Sequence, residues 1–167
     1  AQLKQAILKG LGLLNTKIDK LHNDSHTDPM TGLFNRRAMQ QMLDDYQAQS
    51  LPLAVIALDT DHFKTINDHF GHDVGDAVIV SLATLMQQDL RADAALCRSG
   101  GEEFLLLLPG VSGVQAERIA ERLRLRVESH EMGQAGCITI SLGVAHWPGD
   151  ASDLGAVLKQ ADKALYQ

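Results

Sequence analysis

The sequence predicts an α/β sandwich, in which helices pack around a mixed central sheet of the β-α-β-β-α-β kind. Helix-like and strand-like apolar patterns alternate along the chain, which is typical of a layered α/β domain. Two strand-like segments flank Gly100 and Gly101, and this arrangement predicts a central hairpin. With 167 residues, of which 45% are hydrophobic, the chain is long enough to bury the core of one such domain.

The first half of the chain predicts two helices around one buried strand. A turn-rich segment at 28–33 precedes a helix that we expect to run to about Gln47. The apolar run at 53–58 predicts a strand that ends at Asp59. The next helix carries one apolar face, and Asp73 is placed to cap it. That face comprises Val74, Ala77, Val78, Leu82, Leu85, Met86 and Leu90.

The second half of the chain predicts the hairpin, a helix, a strand and a final helix. The hairpin arms are 94–97 and 104–108, joined by a two-residue turn whose glycines accept a positive φ. A helix at about 113–129 leads to a strand at 137–145, and the last helix starts near Ser152. The inward positions of the helix at 113–129 are Ala116, Ile119, Ala120, Leu123 and Val127.

Charge and cysteine usage restrict the partners and the compartment. With 15 basic and 21 acidic residues the net charge is −6, which argues against a nucleic-acid backbone or an anionic membrane as the main partner. A polyanionic ligand would therefore need metal ions. Cys97 and Cys137 lie in apolar runs without metal-ligand spacing, which predicts buried, reduced thiols in a cytoplasmic domain. The absence of a long apolar run leaves open a membrane anchor elsewhere in a longer parent protein.

Residues 1–26 form a separate unit in this interpretation, ahead of a compact domain at 27–167. The apolar positions Ile7, Leu11, Leu14, Ile18 and Leu21 alternate at spacings of four and three. Such a seam predicts a helix that pairs in a parallel two-stranded coiled coil. A solvated linker, or a helix packed on its own domain, is the alternative. Helical patterns at both ends of the chain predict that it is part of a longer protein.

Acidic residues from two segments are expected to meet at one edge of the sheet. Asp59 ends the first strand, and Glu102 and Glu103 follow the two glycines of the hairpin. These segments lie on adjacent central strands of the predicted topology. Carboxylates beside a backbone carbonyl such as that of Thr60 are the hard oxygen ligands that Mg²⁺ prefers. A solvated turn is the alternative for the glutamates, and Asp61 fits either a metal ligand or a helix cap.

The segment at 59–76 is dense in polar groups and poor in hydrophobic periodicity, which predicts a long loop or a ligand-binding surface. Lys64 is suited to meet a phosphate as a point charge. Asn67 and Asp76 offer donors and acceptors that suit the edge of guanine. Taken singly, each of these residues also fits a surface position or a cap.

Several motifs in order resemble one known family. The pattern D-x-D-x-F-K-x-x-N-D-x-x-G-H-x-x-G-D at 59–76 and the pattern R-x-G-G-E-E-F at 98–104 are similar to those of GGDEF diguanylate cyclases. Segments 27–37, 140–144 and 161–166 resemble the same family, so the similarity spans about residues 26–167. The resemblance implies a palm-like domain similar to nucleotidyl cyclases and polymerases, preceded by a signalling helix.

The resemblance also implies an activity and its partners. Domains of this family condense two GTP molecules into cyclic di-GMP and release two pyrophosphates. Each domain holds one GTP, so two domains must face each other, here as a homodimer that the N-terminal helix would support. An upstream sensor domain would control this pairing. The rival functions are a regulatory domain that binds nucleotide without turnover, and a cyclase that makes a different or mixed cyclic dinucleotide.

The resemblance assigns roles to individual residues. Asp59, the Thr60 carbonyl and Glu102 would bind two divalent ions, Mg²⁺ or Mn²⁺, and Glu103 would support the second ion or its water. The catalytic residues are accordingly Asp59, Glu102 and Glu103. Gly100 and Gly101 would let the backbone approach the phosphates, and Lys64 would touch the terminal phosphate. The substrate-binding residues are Phe63, Lys64, Asn67, Asp76, Gly100 and Gly101, with Asn67 and Asp76 reading guanine.

Two departures from the family pattern affect regulation and affinity. The family's product-inhibition site has Arg-x-x-Asp shortly before the glycines, whereas here Arg91 is followed by Ala92, Asp93 and Ala94, so the aspartate is one position early. Arg91 would mark that site, and we expect inhibition by product to be weak. The chain also stops before the Lys and Arg that help hold triphosphate in the family, so we expect it to bind GTP more weakly than its parent.

Overall fold

The computed structural model describes residues 25–150 and 153–165. The predicted helix at 1–26 lies outside this part of the chain except for its last two positions, and so does the predicted helix start at Ser152. None of the described helices is long and apolar enough to cross a membrane. The elements are α1 (Arg36–Ala48), β1 (Leu53–Thr60), α2 (Phe63–Phe70), α3 (His72–Gln87), β2 (Ala95–Arg98), β3 (Glu103–Pro109), α4 (Gly113–Glu128), a 3₁₀ turn (Gly133–Ala135), β4 (Ile140–Trp147) and α5 (Leu154–Leu165).

The predicted α/β sandwich is confirmed, with one difference in the sheet. The strand order is β2-β3-β1-β4, and every pair of neighbouring strands is antiparallel, where a mixed sheet was expected. The hairpin explains the difference. Strands β1 and β2 run in the same direction, but β3 lies between them and is antiparallel to both. An isolated parallel bridge joins Phe34, which precedes α1, to Cys97 of β2.

Both faces of the central strand β1 are covered by helices. Since side chains alternate between the two faces of a strand, the even and odd positions of β1 enter different cores. Ala54, Ile56 and Leu58 belong to the core that α3 and α4 complete. Val55 and Ala57 belong to the core that α1 and α5 complete. Burial on both faces explains why β1 is an unbroken apolar run until Asp59.

The polar segment at 59–76 was expected to be a long loop or a ligand-binding surface, and it contains α2 and the first turn of α3. Helix α3 was predicted from its apolar face, whereas α2 was not. Helices α2 and α3 meet at Gly71, whose φ of 91° is in a region that side chains disfavour. The predicted cap Asp73 lies in the first turn of α3, and Gly71 occupies the N-cap position without a side-chain hydrogen bond. The short α2 buries only Ile66, so hydrophobic periodicity carried little signal for it.

The later elements agree with the sequence except near Cys137. Helix α4 begins after Ser112, which forms a reciprocal capping box with Gln115. Strand β4 begins at Ile140, three residues later than predicted, and Cys137 is exposed, where a buried thiol was expected. Cys97 is buried as predicted, and burial raises the pKa of its thiol to about 12.

Helix α5 packs unusually close to β4 at Gly143. A Cβ atom built at Gly143 would lie 2.0 Å from the carbonyl oxygen of Ala161 and 2.5 Å from the backbone nitrogen of Leu165. Only glycine leaves room for this approach of helix backbone to strand. The glycine thus sets the distance of α5 from the sheet.

Candidate active site

The acidic end of β1 and the start of β3 lie side by side, as the sequence predicted. Asp59 is paired in register with Glu103. The backbone N–H of Thr60 donates to the carbonyl oxygen of Glu102 at 3.3 Å. Strands β1 and β3 are neighbours in the centre of the sheet, so the backbone hydrogen bonds between them hold the acidic ends of the two strands together. The acids therefore meet on a rigid part of the molecule.

Electrostatics at this edge favour a bound cation. Burial, the charge and a hydrogen bond of Asp59, and the charge of Glu103 together raise the pKa of Glu102. Within the described residues, no group of three or more His, Cys, Asp or Glu side chains is arranged to hold a metal ion. Crowded carboxylates beside the buried Thr60 are hard oxygen donors that fit Mg²⁺ or Mn²⁺, provided that a ligand such as a phosphate completes the shell.

The turn that carries the two glycines is longer than the predicted two-residue hairpin. Strand β2 ends at Arg98 and β3 begins at Glu103, so residues 99–102 connect them. Neither Gly100 nor Gly101 has a positive φ, so the expected conformational reason for these glycines is wrong. A Cβ on Gly101 would meet no atom within 4 Å, whereas one on Gly100 would lie 3.0 Å from Glu103 Oε2. Gly101 thus leaves free space beside the acids.

A pocket of about 650 Å³ lies between this turn and helices α2 and α3. It brings together seven of the predicted site residues from three segments of the chain. Asp59, Thr60 and Gly100 do not line it, although the first two adjoin Glu102 and Glu103 in the sheet. The lining residues are Phe63, Lys64, Asn67, Asp68, His72, Asp76, Ile79, Arg98, Gly101, Glu102 and Glu103.

The side chain of Asn67 lies against Gly75 of α3. Its Oδ1 atom is buried and has no hydrogen-bond partner among the described residues. A Cβ on Gly75 would lie 1.8 Å from this atom, so only glycine at that position lets α3 approach α2 so closely. A buried acceptor without a partner is costly, and a ligand with a donor at this point would relieve that cost.

Asp61 turns out to be neither a helix cap nor part of the pocket lining. Its carboxylate accepts hydrogen bonds from the hydroxyls of Thr139 at 2.7 Å and Ser141 at 2.5 Å, and its N–H donates to the Thr139 carbonyl. The N-cap of α2 is His62, in the left-handed region at φ 56°. Asp61 therefore ties the end of β1 to the start of β4.

Arg98 is a pocket residue to which sequence reasoning gave no role. Its Nε and Nη2 atoms donate to the carbonyl of Gly101 at 3.2 and 2.7 Å. This double contact holds the turn that presents Glu102. The position of an arginine two residues before the glycines was the signal that could have identified it.

Arg91 lies apart from this pocket. Its guanidinium pairs with Asp93 at 2.8 Å, and both side chains are about half exposed, at 52% and 51%. Arg91 also lines a groove of about 370 Å³ that includes Arg118 and Arg122 of α4. Asp93, one position early in the sequence pattern, thus supplies the carboxylate that contacts Arg91.

Comparison with known proteins identifies the family. The family description "Diguanylate cyclase, GGDEF domain" matches residues 25–167. The response regulator PleD of Caulobacter vibrioides is 39% identical over 150 residues, which cover 84% of this chain and 33% of PleD. The diguanylate cyclase DgcM of Escherichia coli is 38% identical over 153 residues, covering 89% of this chain and 37% of DgcM. The chain thus spans about a third of the length of these curated relatives.

A solved structure agrees with this identification. The coiled coil and GGDEF domain of DgcB from Caulobacter crescentus, in complex with c-di-GMP, superposes with a TM-score of 0.85 at 29% identity. The match covers 99% of this chain and 91% of the DgcB chain. The resemblance in the sequence motifs is therefore confirmed, and the chain belongs to the GGDEF family of diguanylate cyclase domains.

Proposed function

We propose that this domain condenses two GTP molecules into cyclic di-GMP and releases two pyrophosphates. The observation that carries the proposal is that Asn67 and Asp76, from α2 and α3, line the same pocket as Glu102 of the acidic turn. Such a pocket has one wall suited to a base and another suited to phosphates and cations. The names of relatives such as DgcM support the same reaction.

The base would lie against the two helices. The unpartnered Oδ1 of Asn67 and the carboxylate of Asp76 are acceptors for the N–H groups of guanine, and the Asn67 amide is a donor for its O6 atom. Adenine offers a different pattern on this edge and would leave these groups unpaired. The pocket therefore favours GTP over ATP.

The triphosphate would run from the helices towards the glycine turn. Lys64 lines the pocket one helical turn before Asp68 and would meet the terminal phosphate. The adjacent Phe63 also lines the pocket and packs against the core. Gly101 leaves space for a phosphate to approach the backbone, and Gly100 keeps the side chain of Glu103 close to the turn. These residues bind and orient the nucleotide.

The acidic edge would hold two divalent ions, Mg²⁺ or Mn²⁺. Asp59, the Thr60 carbonyl and Glu102 would be the protein ligands, with Glu103 supporting the second ion or its water. Bound cations would supply a lowered pKa for the attacking 3′-hydroxyl and neutralise charge on the α-phosphate and the leaving pyrophosphate. The raised pKa of Glu102 reflects the same crowding of acids that a cation would relieve.

Two copies of the domain would be needed for one reaction. Each pocket holds one nucleotide, so the 3′-hydroxyl of one GTP must meet the α-phosphate of another in a facing domain. In this proposal the segment 1–26 pairs two copies as a coiled coil, and a sensor domain upstream in the parent chain controls the pairing. The catalytic domain would work in the cytoplasm, where GTP is available, even if the parent protein is anchored to a membrane.

Product analysis tests the proposal directly. The protein is incubated with GTP, with ATP and with both, in Mg²⁺ or Mn²⁺, and the products are identified by mass spectrometry. We expect cyclic di-GMP from GTP, none in Glu102→Gln, and an unchanged yield in the control Glu117→Gln, which alters an exposed acid on α4. Nucleotide binding without product would identify a regulatory domain, and a product that contains adenine would identify a different cyclase.

A further inference from the structure

A second, smaller cavity lies across the acidic edge from the larger pocket. It has a volume of about 120 Å³, and Glu103 lines both spaces. Its residue Leu105 belongs to the core that α1 and α5 complete, whereas Ile79 of the larger pocket belongs to the core that α3 and α4 complete. The two spaces therefore lie on opposite faces of the sheet. The lining of this Arg36 cavity includes Arg36, Ser99, Glu103, Leu105, Leu158 and Asp162.

The polar groups of the Arg36 cavity include both donors and acceptors. Arg36, the first residue of α1, offers a guanidinium, Asp162 of α5 offers a carboxylate, and the half-buried Ser99 offers a hydroxyl. In the part of the chain that the structure describes, the side chains of Arg36 and Asp162 are exposed and take part in no hydrogen bond or ion pair. Both groups are thus available to a ligand.

The composition and size of the Arg36 cavity favour a sugar as its ligand. A hydroxyl group both donates and accepts, so it can pair with Arg36 and Asp162 at once. The carboxylates of Glu103 and Asp162 would repel an isolated phosphate. A volume of about 120 Å³ equals that of about four water molecules at about 30 Å³ each, which suits a ribose ring and is too small for a whole nucleotide.

The position of the Arg36 cavity suits the attacking side of the proposed reaction. This step rests on the proposed function, in which the 3′-hydroxyl comes from a nucleotide in a facing domain. Attacking and leaving oxygens lie roughly in line in phosphoryl transfer. The pyrophosphate would leave towards Lys64 on α2, so the hydroxyl must arrive from the other side of the acidic edge. The Arg36 cavity lies on that other side, next to Glu103.

We propose that the Arg36 cavity holds the ribose of the nucleotide that the facing domain presents. Arg36 donates to the 2′-hydroxyl oxygen and Asp162 accepts the 2′-hydroxyl proton, which directs the neighbouring 3′-hydroxyl at the α-phosphate. The 3′-oxygen forms a bond to the α-phosphorus, the bond from that phosphorus to the leaving pyrophosphate breaks, and the hydroxyl proton passes to water. Each domain thus binds its own nucleotide in the larger pocket and its partner's ribose in the Arg36 cavity.

The first test mixes two kinds of chain so that only one bond forms in each pair. A Glu102→Gln chain presents a 3′-hydroxyl but does not activate the α-phosphate of its own GTP, so a pair with a chain that keeps Glu102 makes a linear guanosine dinucleotide. Mass spectrometry measures this product with the Glu102→Gln chain in excess. Arg36→Ala in the chain that keeps Glu102 should lower its yield about fivefold. The same change in the Glu102→Gln chain should alter it less than about twofold.

The second test varies the sugar. We expect the unmodified protein to turn over 2′-deoxy-GTP about fivefold more slowly than GTP, and Arg36→Ala to turn over both at the same, lower rate. Arg36→Lys, which keeps a donor, should retain part of the difference.

Two controls separate the ribose contact from other effects of the substitution. Arg37→Ala removes the neighbouring exposed arginine of α1, which does not line the Arg36 cavity, and should behave as the unmodified protein does. Calorimetry with GDP reports on the larger pocket alone, so Arg36→Ala should bind GDP as tightly as the unmodified protein.

The contrary results separate this inference from the proposed function. If the unmodified protein makes cyclic di-GMP but Arg36→Ala has the same effect in either chain of the mixed pair, or no effect in both, the ribose contact is refuted and the proposed function stands. Weaker GDP binding by Arg36→Ala, or unchanged discrimination against 2′-deoxy-GTP, also refutes the contact. A failure of the unmodified protein to make any guanosine dinucleotide overturns the proposed function and the inference together.

Discussion

Arg98 and Asp28, 70 residues apart in the sequence, form an ion pair with Nη1 of the arginine 3.1 Å from Oδ2 of the aspartate. The side chains are only 16% and 19% exposed, so water screens the pair little. Asp28 also accepts from the backbone N–H and hydroxyl of Thr31 at 2.9 and 2.7 Å. Arg98 also donates to the carbonyl of Gly101, so it connects the turn at 28–33 to the turn of the candidate site.

Arg98→Lys should lower cyclase activity while the fold is kept. Lysine cannot contact Gly101 and Asp28 together, so the turn at Glu102 would lose its support. We expect about a tenfold fall in kcat/KM, equivalent to about 1.4 kcal/mol, and a loss of about 1 kcal/mol in the free energy of unfolding. The control is Arg124→Lys, which alters an exposed ion-pair arginine on α4 and should leave activity unchanged.

The ion pair should also give a defined dependence of stability on pH. Burial alone would raise the pKa of Asp28, but hydrogen bonds from Thr31 and the contact with Arg98 outweigh it, so the pKa lies below its ordinary 3.8. The associated stability is present above that pH and is lost as the pH falls through the lowered pKa. When the free energy of unfolding is measured in urea as a function of pH, Asp28→Asn should lose less of it on acidification than the unmodified protein. Equal acid sensitivity of both proteins would contradict the assignment.

Asp59→Asn and Glu102→Gln should each abolish cyclisation. Each removes a charge from the proposed metal site and nothing from the apolar core, so circular dichroism and the unfolding midpoint should stay close to those of the unmodified protein. Glu102→Gln should even gain slight stability, since it relieves the repulsion that raises the pKa of Glu102. A variant that keeps more than about a tenth of the rate, a barrier change under about 1.4 kcal/mol, would refute the metal assignment.

Asp76→Ala and Asn67→Ala should reduce the preference for GTP over ATP by about tenfold each, because each leaves donors of guanine unpaired. Competition binding with the two nucleotides measures the ratio. Asp73→Ala is the matched control, since Asp73 is exposed on the first turn of the same helix and does not line the pocket. A ratio that stays constant in both pocket variants would exclude guanine reading by these residues.

Added cyclic di-GMP at micromolar concentration should slow this protein little, and Ala94→Asp should increase its sensitivity. The N–H of Ala94 donates to the Arg91 carbonyl at 3.1 Å, so residues 91–94 form a turn that brings position 94 close to Arg91. A carboxylate there would complete the pattern that the family uses. Strong inhibition of the unmodified protein that disappears in Arg91→Ala would instead show that Asp93 supplies the carboxylate of the product-inhibition site.

Specific activity should rise with protein concentration, and the double variant Leu14→Lys with Ile18→Lys should be less active. These positions belong to the heptad seam, which lies outside the described residues and stays a prediction from sequence. Gly10 and Gly12 each weaken a helix by roughly 1 kcal/mol, so the coil should be marginal and the dimer should dissociate on dilution. If specific activity stays constant across a hundredfold dilution and the double variant is as active as the unmodified protein, pairing through these heptad positions is not needed for activity.

Local patterns in the sequence were enough to predict most elements and the meeting of the acids. The apolar run of β1 and the periodic faces of α3 and α4 indicated burial, since hydrophobic spacing records which side of an element faces the core. The order of strands and hairpin then brought Asp59 beside Glu103, because neighbours in a central sheet are set by topology. Residue order in the motifs, in turn, identified the family.

Other features depended on contacts between distant segments, which no local pattern records. Helix α2 was not predicted, and its close packing on α3 depends on Gly75, which leaves room for the side chain of Asn67. The antiparallel sheet follows from the insertion of β3 between two strands of equal direction. Arg98 meets Asp28 across 70 residues. Composition and periodicity thus determined most of the elements, whereas the tertiary structure decided contacts such as those of Arg98 with Asp28 and of Asp61 with Ser141, since hydrogen bonds and ion pairs require distances of about 3 Å.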